Sequence, residues 1–188
     1  CDWSSDVCSS DLKAWKAKYG AYMPVSVNVS RVDMYDPDMV EFIKRIVTEN
    51  GIARSDYLLE VTESAYTDNS VQIVQVVNQL RMEGFRIEMD DFGSGYSSLN
   101  LLKDMPVDVL KIDMMFLGKS REIQKAQTII HNVIAMSDDL GIASLTEGVE
   151  TESQYQMLSS MGCKLFQGYC FAKPMPVSDF DQYCKSRQ

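Results

Sequence analysis

The sequence predicts an α/β protein, a TIM (β/α)8 barrel with six of its eight βα units present. Three observations carry that prediction. Short apolar or alternating segments take turns with longer ones of helical period, the order expected of a parallel sheet joined by crossover helices. Glycines stand just past four of the helical segments, where a left-handed cap is wanted before the next strand. In the strand segments one parity is apolar and the other turns polar near the C-terminal end. Polar groups from six strands would then meet at one mouth, where barrels of this kind build their sites.

The elements follow in chain order. The opening run CDWSSDVCSSDL is rich in Ser and Asp, shows no period, and resembles translated adapter sequence. Residues 1–11 are therefore expected to be non-native or disordered, and 12–188 to form the partial barrel domain. Leu12–Tyr19 reads as the tail of a helix. Strands are expected at Val25–Ser30, Leu58–Glu63, Arg86–Asp90, Val107–Asp113, Ile142–Glu147 and Lys164–Tyr169. Helices are expected at Asp38–Asn50, Ser70–Glu83, Ser97–Lys103, Glu122–Leu140, Glu152–Met161 and Ser178–Lys185, with Gly51, Gly84, Gly141 and Gly162 behind four of them. The apolar parity is Val25/Val27/Val29, Leu59/Val61, Ile87/Met89 and Leu110/Ile112, which should pack on the helices. The polar parity is Asn28, Glu60/Thr62, Asp90, Lys111/Asp113, Glu147 and Gln167. At about 27 residues per unit, two more units would complete a barrel of roughly 200–250 residues, so the chain is expected to start within its second unit.

Composition narrows the function. A net charge of -9 and a pI near 4.6 argue against a nucleic-acid or anionic-membrane surface, since either needs clustered Lys and Arg. Carboxylates holding metal ions can still attract a phosphorylated small molecule, because the ions invert the local sign. Five cysteines without a CxxC pair support neither a disulfide framework nor a zinc site, and a reducing cytoplasm follows. No apolar run is long enough to span a bilayer. His131 is the only histidine and lies mid-helix, which excludes His-dependent triads and His-rich metal sites within the chain.

Asp90 and Asp91 end a strand and enter the glycine-bearing turn DDFGSGYSS, where adjacent carboxylates could bridge two hard cations. Asn28 and Glu60 on neighbouring strands complete an all-oxygen set that suits Mg²⁺ or Mn²⁺ over zinc. Glu60 lies in the apolar stretch LLEVTES, and an inward carboxylate there must be paired or bind metal, because burying it bare costs several kcal/mol. Glu63 falls at the same strand's end, in a position to be exposed. Lys111 could pair with nearby carboxylates, orient an attacking water, neutralise a phosphoryl oxygen, or form a Schiff base as in barrel aldolases. Surrounding carboxylates would keep its amine protonated, which disfavours the last. Glu147 in LTEGVE could act as general base or reach a metal-bound water, and Gln167 in LFQGY could bond substrate or fix a carboxylate.

The ordered runs VSVNVS (25–30), LLEVTES (58–64), DDFGSGYSSL (90–99), LKID (110–113), TEGVET (146–151) and FQGYCFAKPMP (166–176) resemble the EAL-domain phosphodiesterases that degrade bacterial cyclic di-GMP. The resemblance covers nearly everything from Leu12 onward. It implies two Mg²⁺ or Mn²⁺ ions held by Asn28, Glu60, Asp90 and Asp91, with Glu147 in the metal–water shell, Lys111 holding the hydrolytic water and Gln167 in the outer shell. Lys111, Glu147 and Asp91 would be the catalytic groups. The turn from Asp91 to Ser98 resembles the family's mobile loop, with Glu63 as its anchor, coupling a homodimer to metal and substrate binding. An upstream sensor or diguanylate cyclase domain fits the family pattern, and the product would be linear pGpG.

Two departures stand out. The Glu-Ala-Leu signature belongs on a strand this chain lacks, so one metal-ligating Glu is absent and the 188 residues alone are expected to be inactive. Glu88 stands where the family usually has a small residue, two positions before Asp90 on the same face. It could perturb the metal site or pair with Lys111. Two other readings compete with the hydrolase: a non-catalytic cyclic di-GMP receptor or interaction module on the same fold, and a lyase or aldolase using Lys111.

Overall fold

The computed structural model describes residues 12–15, 18, 24–67, 70–93, 99–114 and 123–186. Six parallel strands among them form one sheet: β1 (Val25–Asn28), β2 (Tyr57–Thr62), β3 (Arg86–Phe92), β4 (Val109–Asp113), β5 (Ala143–Glu147) and β6 (Leu165–Phe166). Their spatial order is their sequence order, each pairing with the next in parallel, as six consecutive units of a (β/α)8 barrel do. The connecting helices are α1 (Arg31–Met34), α2 (Met39–Glu49), α3 (Glu63–Thr67), α4 (Ser70–Met82), α5 (Leu99–Asp104), α6 (Ile123–Asp139) and α7 (Glu152–Ser160), followed by α8 (Val177–Lys185). No helix among the described residues is long and apolar enough to cross a membrane.

The anticipated glycine caps are present. Gly51, Gly84, Gly141 and Gly162 take φ values of 63°, 94°, 72° and 98°, each turning a helix into the strand that follows. Helix α7 starts on a capping box in which Thr151 and Gln154 satisfy each other's backbone donors. Residues 12–15 are helical, Leu12 is wholly buried, and Trp15 packs on Phe180 of α8 at 5.1 Å between ring centroids.

The apolar parity forms the core as expected. Leu59, Val61, Ile87, Met89 and Leu110 are all 0 % exposed and join Ile43, Val47, Ile73, Val77, Leu80, Ile130 and Leu158 from the helices in one cluster. Each such side chain contributes about 1.5–3 kcal/mol on burial, enough to hold the strands in one register.

Three expectations need correction. The last strand is two residues long, not six, because beyond Phe166 the chain turns to bond a loop: Val149 N donates to Gln167 O at 3.1 Å and Cys170 N donates to Val149 O at 2.9 Å. Gly168 is required by that approach, since a Cβ there would overlap the backbone of Val149. The third strand runs on to Phe92 instead of ending at Asp90, through a register shift between Met89 and Phe92. Short helices α1 and α3 follow β1 and β2 directly, the first capped by Ser30 with Asp33.

Candidate active site

The polar parity converges at the C-terminal ends of the strands. Register sets Asn28, Glu60 and Glu88 side by side on β1, β2 and β3, with Thr62 beside Asp90 and Asp113 beside Glu147. At the centre stands Lys111, its side chain 5 % exposed. Its ammonium lies 2.6 Å from Glu147 Oε1, 2.9 Å from Glu60 Oε2 and 3.1 Å from Asp90 Oδ1. Four of the predicted site residues, on four different strands, thus meet in one ion cluster.

The register shift in β3 explains how Asp90 and Asp91 serve one end of the sheet. Simple alternation sends adjacent side chains to opposite faces. Here Met89 pairs with Leu110 and Phe92 with Ile112, so three steps on β3 match two on β4, which is a β-bulge. Asp91 takes φ 57°, the left-handed conformation that Asp tolerates better than most residues, and its N–H bonds Asp90 Oδ1 at 3.0 Å. The sequence pattern gave no sign of the bulge, because it assumes a constant period of two.

Glu63 is 3 % exposed, not solvated as its strand-end position suggested, and accepts the N–H of Gly93 at 3.0 Å. It holds the first residues of the turn after β3; the rest of that turn, 94–98, lies outside the described residues. Asn28 and Gln167 are both exposed at the rim. Gln167 follows β6, and its backbone N–H bonds Thr146 O at 2.9 Å. A cleft of about 680 Å³ opens beside Asn28, lined by Ser30, Arg31, Val32, Asp33 and Thr62.

Electrostatics follow from the crowding of acids. Burial pulls the Lys111 ammonium toward neutrality, but the hydrogen bonds it donates to Glu147 and Glu60 and their charges outweigh it and hold its pKa above the ordinary lysine range. A lysine held protonated is the opposite of what a Schiff base needs. Burial raises Glu147, partly offset by Lys111 and reinforced by the charges of Asp90 and Glu60. Burial also raises Asp91, with Asp90 and Asp113 adding to it. Glu88 is 3 % exposed, and burial raises it against a hydrogen bond from Ser26. One of its oxygens, Oε2, has no hydrogen-bond partner. Sequence reasoning missed Ser26 as a neighbour of the site, although it lies on the polar parity that was the main signal; Asp113 was placed on that parity but given no role.

No three acidic, His or Cys side chains among the described residues are spaced to hold a cation as they stand; the ammonium of Lys111 fills the middle of the acids instead. The donor chemistry nonetheless suits a hard divalent ion: carboxylate and amide oxygens alone, in acid excess, with one buried oxygen unserved.

Comparison with known proteins agrees with this architecture. The chain is 33 % identical over 168 residues to the cyclic di-GMP phosphodiesterase RocR of Pseudomonas aeruginosa, covering 89 % of this chain and 43 % of RocR. It is 34 % identical over 181 residues to the signaling protein YkoW of Bacillus subtilis, covering 96 % of this chain and 22 % of that protein. The chain therefore spans less than half the length of these curated relatives. Among solved structures, the EAL domain of Mycobacterium smegmatis DcpA superimposes with a TM-score of 0.90 at 32 % identity, covering 98 % of this chain and 83 % of that one. The PaMucR phosphodiesterase in complex with c-di-GMP gives 0.86 at 30 %, covering 95 % and 72 %. The sequence profile of the EAL domain matches residues 3–174, and with that match over most of its length the chain belongs to the EAL domain family.

Proposed function

We propose that this chain forms the catalytic face of a cyclic di-GMP phosphodiesterase that hydrolyses its substrate to linear pGpG. The observation that carries the reading is the Lys111-centred cluster of Glu60, Asp90 and Glu147 at the strand ends of an EAL barrel. Asn28, Glu60, Asp90 and Asp91 would hold Mg²⁺ or Mn²⁺, two ions in an intact domain. Such ions supply Lewis acidity toward a phosphate oxygen and help deprotonate water. Lys111, kept protonated, donates hydrogen bonds to the attacking water or to a non-bridging phosphoryl oxygen as charge develops there. Glu147, its carboxyl raised toward neutrality by burial, stands within reach of Lys111 to accept a proton from that water. Glu63 keeps the turn after Asp91 in place through Gly93, and Gln167 contacts substrate from the rim. In the whole protein, a cytoplasmic homodimer with a sensor or cyclase domain upstream fits this role.

The test is release of pGpG from cyclic di-GMP with Mg²⁺ or Mn²⁺, followed by chromatography. The 188-residue chain and a chimera completed with the first two βα units of a related EAL barrel are compared. The chimera should turn over and the bare chain should not. Binding of cyclic di-GMP by the chimera without turnover would instead support a receptor, and turnover by the bare chain near that of the chimera would overturn its expected inactivity.

A further inference from the structure

We infer that Glu88 is a further oxygen ligand for a divalent cation at this site, one that this chain adds to Glu60 across the β2–β3 ladder. The inference rests on the metal-dependent reading above. Three observations on the chain support it. Glu60 and Glu88 are register partners on adjacent parallel strands and share a face, with Asn28 next in the same row, so three oxygen-bearing side chains line up on β1, β2 and β3. Glu88 is 3 % exposed, lies within hydrogen-bonding reach of the Glu60 carboxyl, and has no donor at its Oε2. A buried carboxylate oxygen left bare costs far more than a surface one, so a compensating cation is favoured there.

That cation is not Lys111. An ammonium has three N–H donors, and the three contacts of Lys111 go to Glu60, Asp90 and Glu147. The sequence expectation that Glu88 pairs with Lys111 is not met by those contacts. One lysine also leaves the four acids Glu60, Glu88, Asp90 and Glu147 in excess of their positive charge. A hard divalent ion supplies both the missing charge and a partner for Oε2.

The experiment titrates the chimera completed with the first two βα units, and its variants E88Q, E88A and D90N, with Mn²⁺, reading free Mn²⁺ by its electron paramagnetic resonance and inner-sphere water by proton relaxation. If Glu88 is a ligand, E88Q and E88A bind Mn²⁺ about 10-fold more weakly or worse, and the bound ion gains a water where the carboxylate was. Weaker binding with unchanged hydration would show only a loss of nearby charge and overturn the ligand assignment. E88Q and E88A equal to the parent, with D90N weakened, would overturn it while leaving the metal-dependent reading standing. No Mn²⁺ binding by the parent chimera would overturn both. Thermal melts without metal guard against misfolding: a merely structural Glu88 predicts a lower melting temperature for E88A and an unchanged Mn²⁺-induced shift, whereas a ligand predicts no loss without metal and a smaller shift.

Discussion

The two ends of the sheet treat charge in opposite ways. At the N-terminal end, acids are matched with cations and backbone donors. Asp108 accepts from Arg81 at 2.8 Å and from the N–H of Ile87 at 2.9 Å. Glu83 is shared by Lys44 at 2.8 Å and Arg54 at 2.7 Å. At the C-terminal end one lysine serves three acids, a fourth acid has an unserved oxygen, and carboxyls are raised by burial. Matched charge at one end leaves its acids paired, while the excess of acid at the other shows as raised carboxyls and an unserved oxygen.

The largest effect should come from Lys111→Met. Removing the shared cation strands three acids and should cost about 3–5 kcal/mol in the metal-free protein, measured by denaturant unfolding. In the completed barrel the same change should lower phosphodiesterase turnover about 10²–10³-fold. Mn²⁺ should restore the stability but not the turnover, and equal recovery of both would erase the distinction between charge balance and catalysis.

Asp108→Asn should cost less, about 1–2 kcal/mol, by weakening the bonds to Arg81 and Ile87, and should leave turnover of the completed barrel intact. A tenfold loss of turnover there would mean that the two ends are not separable.

Acid–base behaviour sharpens the contrast further. Glu147 has a raised carboxyl in the fold, so its contribution is present below its unfolded pKa and is lost as pH rises through the folded one. Hydrogen bonding to Lys44 depresses Glu83, with Arg54 adding to it, so its contribution is present above the unfolded pKa and is lost as pH falls through the folded one. Relative to the parent, E147Q should therefore gain in melting temperature between pH 4 and pH 7 without metal, and E83Q should lose. Slopes of the same sign would break the comparison. The smallest effect belongs to Lys164→Ala, which removes an open pair with Asp138 at 3.4 Å and should move the melting temperature by less than about one degree.

What the sequence disclosed was whatever depends on local chemistry. Gly51, Gly84, Gly141 and Gly162 were legible because a left-handed cap favours the one residue without a side chain. Glu60, Asp90, Lys111 and Glu147 were legible because a polar residue recurring on one parity of an apolar strand has few reasons to be there. The bulge at Asp90–Asp91 was not, since it is set by how β3 slides against β4 and not by either strand alone. The shortness of β6 was likewise hidden, being decided by the bonds of Val149 to Gln167 and Cys170. The burial of Glu63 escaped notice because its partner, Gly93, is thirty residues away.

The strand order, in which among the described residues each strand pairs with the next, bears on how the chain acquires its shape. Among the described residues each sheet contact closes a loop of one βα unit, so these strands need not wait for a distant one, and the sheet can lengthen strand by strand as residues leave the ribosome. The ion cluster waits for one of the later steps, because Glu147 joins only with the fifth of the six strands.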